Sequence, residues 1–144
     1  MKTLIASDHA GERTKKQILK ILEKNKYAFE DLSPKNTQTD DYPDYAQKVA
    51  QKITPKNQGI LICGTGIGMS IAANKHKGIR AALCRSAKDT ELARKHNNAN
   101  ILVLSSKTKK VELEKIINAF KETKFEKGRH LRRINKIKQQ ENKK

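Results

Sequence analysis

The chain has 144 residues and a formal net charge of +17, with 35% hydrophobic and 33% charged residues. A chain of this length fits one domain and buries roughly two-thirds of its unfolded surface. Two cysteines without a four-ligand Cys/His cluster argue against structural zinc, and no apolar run approaches a membrane span. Two thiols and a first segment, MKTLIAS, too short for an export signal predict a reducing, cytoplasmic location.

The first half of the chain alternates short apolar runs with amphipathic stretches. The patterns predict strands at residues 3–6, 27–29 and 59–63, helices at 11–25 and 44–53, a polar loop at 34–43, and a helix from the glycine-rich segment to residue 75. The run at residues 59–63 is the strongest strand signal, and it leads directly into the glycines.

The second half continues the alternation. It predicts strands at residues 79–84 and 101–104, helices at 88–96, 111–121 and 128–140, and a polar, frayed tail at 138–144. Strands that alternate with helices at this spacing indicate an α/β domain over residues 1–137, in which helices cover both faces of a parallel sheet. Ligands bind such sheets at the carboxyl ends of the strands, which predicts a site at residues 7–9 and 63–68, with residues 84–85 as a further candidate.

The segment Cys63-Gly64-Thr65-Gly66-Ile67-Gly68 follows the strongest predicted strand. Its glycines allow a tight turn that points backbone N–H groups at an anion. It is not a P-loop, because no Gly-Lys-Ser/Thr follows, and its glycine spacing does not fit a dinucleotide site. A strand–helix turn without a ligand remains the alternative.

Cys63 is the candidate base in this segment. A thiol at a strand end that faces a helix N-terminus is favoured as the thiolate. A thiolate there could abstract a carbon-bound proton while the loop N–H groups stabilise an enediolate oxygen. The alternative is a small core thiol, and this is the interpretation given to Cys84, which ends an apolar run.

Three further segments each allow a structural and a functional interpretation. Asp8 and His9 could bind hydroxyls or phosphate, or could be a helix N-cap and a surface imidazole. His96 and Asn97 by themselves indicate a helix C-terminus. Arg129 and Arg133 lie four apart and could clamp a phosphate, which would offset the cost of cations at a helix N-terminus.

Five motifs together resemble the B-type ribose-5-phosphate isomerases. They are Ser7-Asp8-His9-Ala10-Gly11, Asp41-Tyr42-Pro43-Asp44, Cys63-Gly64-Thr65-Gly66-Ile67-Gly68, His96-Asn97 and Gly128-Arg129-His130. The resemblance implies a Rossmann-like α/β/α sandwich with a five-stranded parallel sheet, and a homodimer with sites at the subunit interface. It also implies an enzyme of the non-oxidative pentose phosphate pathway that uses no metal or cofactor.

The resemblance also implies a role for each matching residue. Cys63 moves the proton between C1 and C2, His96 opens the furanose ring with Thr65 beside that step, and the backbone of residues 64–68 holds the enediolate. The contacts to substrate hydroxyls are assigned to Asp8, Tyr42 and Asn97, and those to phosphate to His9, Arg129 and Arg133. Lys107 stands where the family often has arginine, so its phosphate contact loses the guanidinium fork. His96 and Asn97 are expected to come from the second subunit.

Two other functions fit parts of the same pattern. Relatives isomerise allose 6-phosphate or galactose 6-phosphate, but the galactose type pairs two different subunits, one of which lacks the cysteine. Cys63, His96 and the arginines in one chain favour the pentose enzyme. The charge of +17 also fits a nucleic-acid-binding protein, although most lysines lie beside glutamates in predicted helices and no aromatic residue interleaves the basic C-terminal segment.

Overall fold

The computed structural model describes residues 1–143 and has a parallel five-stranded sheet at its centre. The strands are β1 (Lys2–Ser7), β2 (Phe29–Asp31), β3 (Asn57–Cys63), β4 (Ala81–Leu83) and β5 (Ile101–Ser105), in the order β2-β1-β3-β5-β4. The register pairs Ser7 with Ile62 and Cys63 with Ser105, so the carboxyl ends of β1, β3 and β5 lie side by side.

Six α-helices accompany the sheet in the part of the chain that the structure describes. They are α1 (Glu12–Lys24), α2 (Tyr42–Ala50), α3 (Ile67–Asn74), α4 (Ala87–Asn97), α5 (Lys110–Glu122) and α6 (Arg129–Glu141), and a 3-10 turn at His9–Gly11 precedes α1. None of the helices described in residues 1–143 is both long enough and apolar enough to cross a membrane.

Alternate side chains of the strands enter two separate cores, as a sheet covered on both faces requires. On one face, Leu61 and Val103 pack with the apolar sides of α2 and α3. On the other face, Ile60 and Leu102 pack with α1 and α5. The predicted three-layer α/β/α sandwich with five parallel strands is confirmed.

Several boundaries differ from the sequence prediction: β4 is Ala81–Leu83 rather than residues 79–84, and α2 is Tyr42–Ala50 rather than residues 44–53. Two further differences have a clear cause in the hydrogen bonds. Strand β2 begins at Phe29 rather than at residue 27, because the Tyr27 N–H still donates to the Leu22 carbonyl in the turn that ends α1. Helix α6 continues through residues 138–141, which the sequence places in a frayed tail. The Glu141 carboxylate accepts a hydrogen bond from the Gly78 N–H, and this contact holds the last turn against the body of the protein.

Candidate active site

The turn between β3 and α3 places Cys63 beside a backbone donor. Cys63 is 4% exposed, and its Sγ accepts a hydrogen bond from the Gly66 N–H at 3.1 Å. Gly66 has a φ of +80°, and a Cβ there would lie 2.5 Å from Leu83 Cδ1 and 3.2 Å from the Leu104 backbone. The glycine is therefore required both by its conformation and by the close approach of the turn to β4 and β5.

Residues at the end of β5 and just after it support this turn from the neighbouring strand. The Ser105 and Ser106 hydroxyls donate to the Gly64 carbonyl, and the Ser106 N–H donates to the Cys63 carbonyl at 2.9 Å. Lys107 follows on the surface at the same edge of the sheet. The Thr65 side chain is also held, since its Oγ1 accepts a hydrogen bond from the Ile67 N–H.

Asp8 lies at the adjacent end of β1, close to the strand that carries Cys63. Its N–H donates to the Ile62 carbonyl, and its Oδ1 accepts from the Gly11 N–H, so it caps the 3-10 turn as the structural interpretation of the sequence expected. A Cβ on Gly11 would lie 2.7 Å from the Ile62 carbonyl oxygen, which shows how closely the turn approaches β3. Burial raises the pKa of the Asp8 carboxyl above its ordinary value, and the Gly11 hydrogen bond partly opposes this.

His9 is paired with Asp40, a residue that the sequence analysis missed. Asp40 Oδ1 accepts from the His9 N–H at 2.9 Å and lies 2.6 Å from the imidazole Nδ1, while Oδ2 accepts from Asn36 and from the Tyr45 hydroxyl. The hydrogen bond to Asp40 raises the pKa of His9. Burial alone would raise the pKa of Asp40, but the hydrogen bonds it accepts from Asn36 and His9 hold it well below its usual range.

Tyr42 closes the same edge from the first turn of α2. Its ring lies against Gly68, because a Cβ on that glycine would come within 2.5 Å of Tyr42 Cζ. Tyr42 is 38% exposed, so the residue is partly open to solvent beside the glycine turn. The structure thus brings Asp8, His9, Tyr42, residues 63–68 and Lys107 to one edge of the sheet.

His96 and Asn97 lie at the opposite edge. Helix α4 runs back from the carboxyl end of β4 and ends at Asn97, just before β5 begins. The Gly59 N–H donates to the Asn100 carbonyl at this edge, and Cys63 lies four residues further along β3. Four residues of strand span roughly 13 Å, so Cys63 and His96 of the same chain lie too far apart to contact one substrate group together.

Arg129 and Arg133 lie near His96 rather than near Cys63. The His96 and His130 rings stack with centroids 4.3 Å apart and planes 13° apart. Burial, and then the charges of His96 and Arg129, lower the pKa of His130. Arg129 and Arg133 are exposed on the first turns of α6 beside this stacked pair.

Cys84 is a core thiol, as the sequence analysis expected. It is 2% exposed among the apolar side chains of α1 and α5, on the face of the sheet that Cys63 does not enter. Burial raises its pKa to about 11, so the thiol stays protonated near neutral pH.

The chain is similar to known sugar-phosphate isomerases over almost its whole length. Residues 3–137 match the family model described as Ribose/Galactose Isomerase. Ribose-5-phosphate isomerase B of Escherichia coli is 38% identical over an alignment of 139 residues, and the match covers 94% of this chain and 93% of that protein.

Solved structures of ribose-5-phosphate isomerase B give the same result. The Mycoplasma genitalium enzyme, solved with bound ribulose-5-phosphate, is 47% identical with a TM-score of 0.94 and covers 99% of this chain and 97% of its own. The Thermotoga maritima enzyme is 47% identical with a TM-score of 0.91, covering 96% and 97% of the two chains. The chain therefore belongs to the ribose/galactose isomerase family, and it is an isomerase enzyme.

Proposed function

We propose that this enzyme interconverts D-ribose 5-phosphate and D-ribulose 5-phosphate through a cis-enediolate, with Cys63 as the base. The observation that carries the proposal is the Cys63 sulfur at the carboxyl end of β3, hydrogen-bonded to the Gly66 N–H inside the glycine turn. The similarity to isomerases of this substrate, one of them bound to ribulose-5-phosphate, supports it.

The proton transfer uses Cys63 and the backbone that follows it. A thiolate at Cys63 removes the C2 proton of the open aldose and returns it to C1, and the Gly66 N–H stabilises the negative sulfur. The first N–H groups of a helix have no intrahelical partner. In this proposal the N–H groups of residues 64–68 stabilise the enediolate oxygen, apart from those of Gly66 and Ile67, which donate to Cys63 Sγ and Thr65 Oγ1.

The substrate's other groups are assigned to the same edge. Asp8 and Tyr42 bind hydroxyls, and His9 binds phosphate. Because Asp40 takes the Nδ1 side of the His9 ring and raises its pKa, the imidazolium can offer Nε2–H to an anion. Lys107, also at this edge, adds a positive charge for the phosphate but cannot form the two parallel hydrogen bonds of an arginine guanidinium.

A second copy of the chain completes the site in this proposal. His96 opens the furanose ring beside Thr65, Asn97 binds a hydroxyl, and Arg129 and Arg133 bind phosphate, all from the partner copy. The separation of roughly 13 Å along β3 within one chain supports this division. Exposed apolar side chains on the two helices involved support a homodimer; they are Ile67 and Ile71 on α3, and Leu131 and Ile137 on α6.

A coupled assay tests the substrate assignment. We expect kcat/KM for ribose 5-phosphate to exceed the values for allose 6-phosphate and galactose 6-phosphate. Unphosphorylated ribose is expected to be a very poor substrate, because the charge-assisted contacts to phosphate are lost. A higher kcat/KM for either six-carbon phosphate would overturn the pentose assignment while leaving the reaction type intact.

A further inference from the structure

Three side chains with metal-binding atoms meet at the edge of the sheet opposite Cys63. They are His96 at the end of α4, Glu126 in the segment after α5 and His130 in the first turn of α6, and one ligand atom from each lies within 4.8 Å of the other two. His96 is thirty positions before Glu126 in the sequence, so residue spacing does not reveal the cluster.

His130 supplies an independent sign that this cluster lacks a ligand. Its side chain is 7% exposed, and its Nε2 has no hydrogen-bond partner among the residues that the structure describes. Glu126 Oε2, at 3.6 Å, is too far away for a hydrogen bond. A buried polar atom without a partner is costly, and native proteins usually give it a partner or a ligand.

We propose that His96, Glu126 and His130 form a binding site for Zn²⁺ or a similar borderline divalent ion. Two imidazoles and one carboxylate are a ligand set that zinc takes where a fourth position stays open to water. Imidazole ligands also suit Co²⁺, Ni²⁺ and Cu²⁺, whereas Mg²⁺ and Ca²⁺ prefer oxygen ligands alone.

The ion draws the three side chains closer together. Zinc bonds of about 2.0–2.1 Å require ligand atoms roughly 3.3 Å apart in a tetrahedral site, so the cluster contracts by about 1.5 Å at most. The nitrogen lone pairs lie in the ring planes, and the two planes are nearly parallel, so the two rings as stacked do not point at one position. His96 therefore rotates out of the stack when both rings bind the ion. His96 is half-buried and the Glu126 side chain is 48% exposed, so both have room to move toward the fixed His130.

Occupancy of this site has a consequence for catalysis, and this consequence rests on the proposed role of His96. A metal-bound ring nitrogen cannot exchange a proton with the substrate. Zinc therefore inhibits conversion of ribose 5-phosphate, and EDTA restores it. The metal site itself does not depend on that role, because direct binding measures it separately.

Zinc titration of the EDTA-treated, full-length protein by calorimetry tests the site, with Co²⁺ absorption as the report on ligand geometry. We expect one ion per chain and an absorption typical of a low-coordinate Co²⁺ site. Glu126→Gln should weaken binding at least about tenfold, since loss even of an outer-shell partner typically costs 10–100-fold. Glu122→Gln and His76→Asn, one acidic and one histidine change elsewhere on the surface, are the matched controls and should bind as wild type does.

Cys63 is the competing zinc ligand, and a second variant separates the two possibilities. Cys63→Ser should retain the ion if the site is correct. Loss of binding in Cys63→Ser, or unchanged affinity in Glu126→Gln, would overturn the proposal. Full turnover with zinc bound would support the site and contradict the role of His96 in ring opening.

Discussion

At the scale of single residues, the two cysteines show how surroundings determine the chemistry of one side chain. Both are buried, Cys63 as the last residue of β3 and Cys84 directly after β4. Cys84 lies in an apolar core that raises its pKa to about 11, which leaves it a neutral thiol. Cys63 instead lies inside the glycine turn, where its sulfur accepts a hydrogen bond from the Gly66 N–H.

Replacement of Cys63 by alanine should abolish isomerisation without unfolding the protein. Loss of a general base typically lowers kcat about 10²–10⁴-fold. A coupled assay together with circular dichroism would measure activity and fold, and Cys84→Ala is the matched control that should retain turnover. Near-normal turnover by a folded Cys63→Ala variant would remove Cys63 from the mechanism.

The pair of His9 and Asp40 makes phosphate binding dependent on pH in a defined direction. Because Asp40 raises the pKa of His9, the imidazolium persists to higher pH than the ordinary 6.5 allows, and its charge is lost as pH rises through the raised value. Asp40→Asn should return that pKa toward its ordinary value. KM for the sugar phosphate should then increase several-fold more at pH 7.5 than at pH 5.5, where His9 is charged in both proteins.

Ring-proton NMR of His9 and KM profiles over pH would measure both effects. Asp44→Asn, which removes the same charge in the first turn of α2, is the matched control. An equal change in KM at both pH values would show that Asp40 orients the ring without tuning its charge.

The sequence predicted a role for Cys63 but none for Asp40, and the difference has a physical cause. Cys63 ends a continuous apolar run before a glycine turn, so local pattern places it at a strand end. Asp40 lies in a polar loop without periodicity, and its partner His9 is 31 residues earlier. Only the path of the folded loop brings the two together.

At the scale of elements, the β3–α3 turn depends on Gly66. An alanine at Gly78 also meets a positive φ, but in open space, and should cost about 1–2 kcal/mol. Gly66→Ala adds a clash that Leu83 can avoid by rotating but the Leu104 backbone at 3.2 Å cannot, so it should cost about 2–4 kcal/mol. Urea unfolding would compare the two variants, and equal losses would contradict the steric argument.

Sequence periodicity predicted most elements because a helix or strand that packs in the core needs apolar residues at the spacing that the sequence shows. Helix α5 buries Leu113, Ile116, Ile117 and Phe120, a spacing that is visible in the sequence. The late start of β2 was not visible, since it depends on how the turn after α1 forms its hydrogen bonds. Local signals also could not show that α4 carries His96 away from Cys63.

At the scale of the whole molecule, the two groups of residues at opposite edges predict complementation between inactive variants. Cys63→Ala and His96→Asn should each be inactive as pure proteins. In an equal mixture of co-refolded chains, half the proposed dimers contain one chain of each kind, and one of their two sites is intact. The mixture should therefore recover about a quarter of wild-type activity.

Two defects at the same edge provide the control for this experiment. A mixture of Cys63→Ala with Cys63→Ser should recover nothing, because no intact site can form. Absence of recovery in the first mixture, with heterodimers demonstrated by mass, would place both residues in a site within one chain.

If the proposed dimer forms, the cations at the start of α6 also affect its assembly. Arg129 and Arg133 lie at the positive end of a helix whose first turn has no acidic residue. In the proposed dimer they face the partner's glycine turn, which also presents N–H groups and the positive end of α3. In that dimer, the two surfaces are expected to repel each other until a phosphate dianion lies between them. The substrate then acts as part of the interface, so dimer affinity and phosphate affinity rise and fall together.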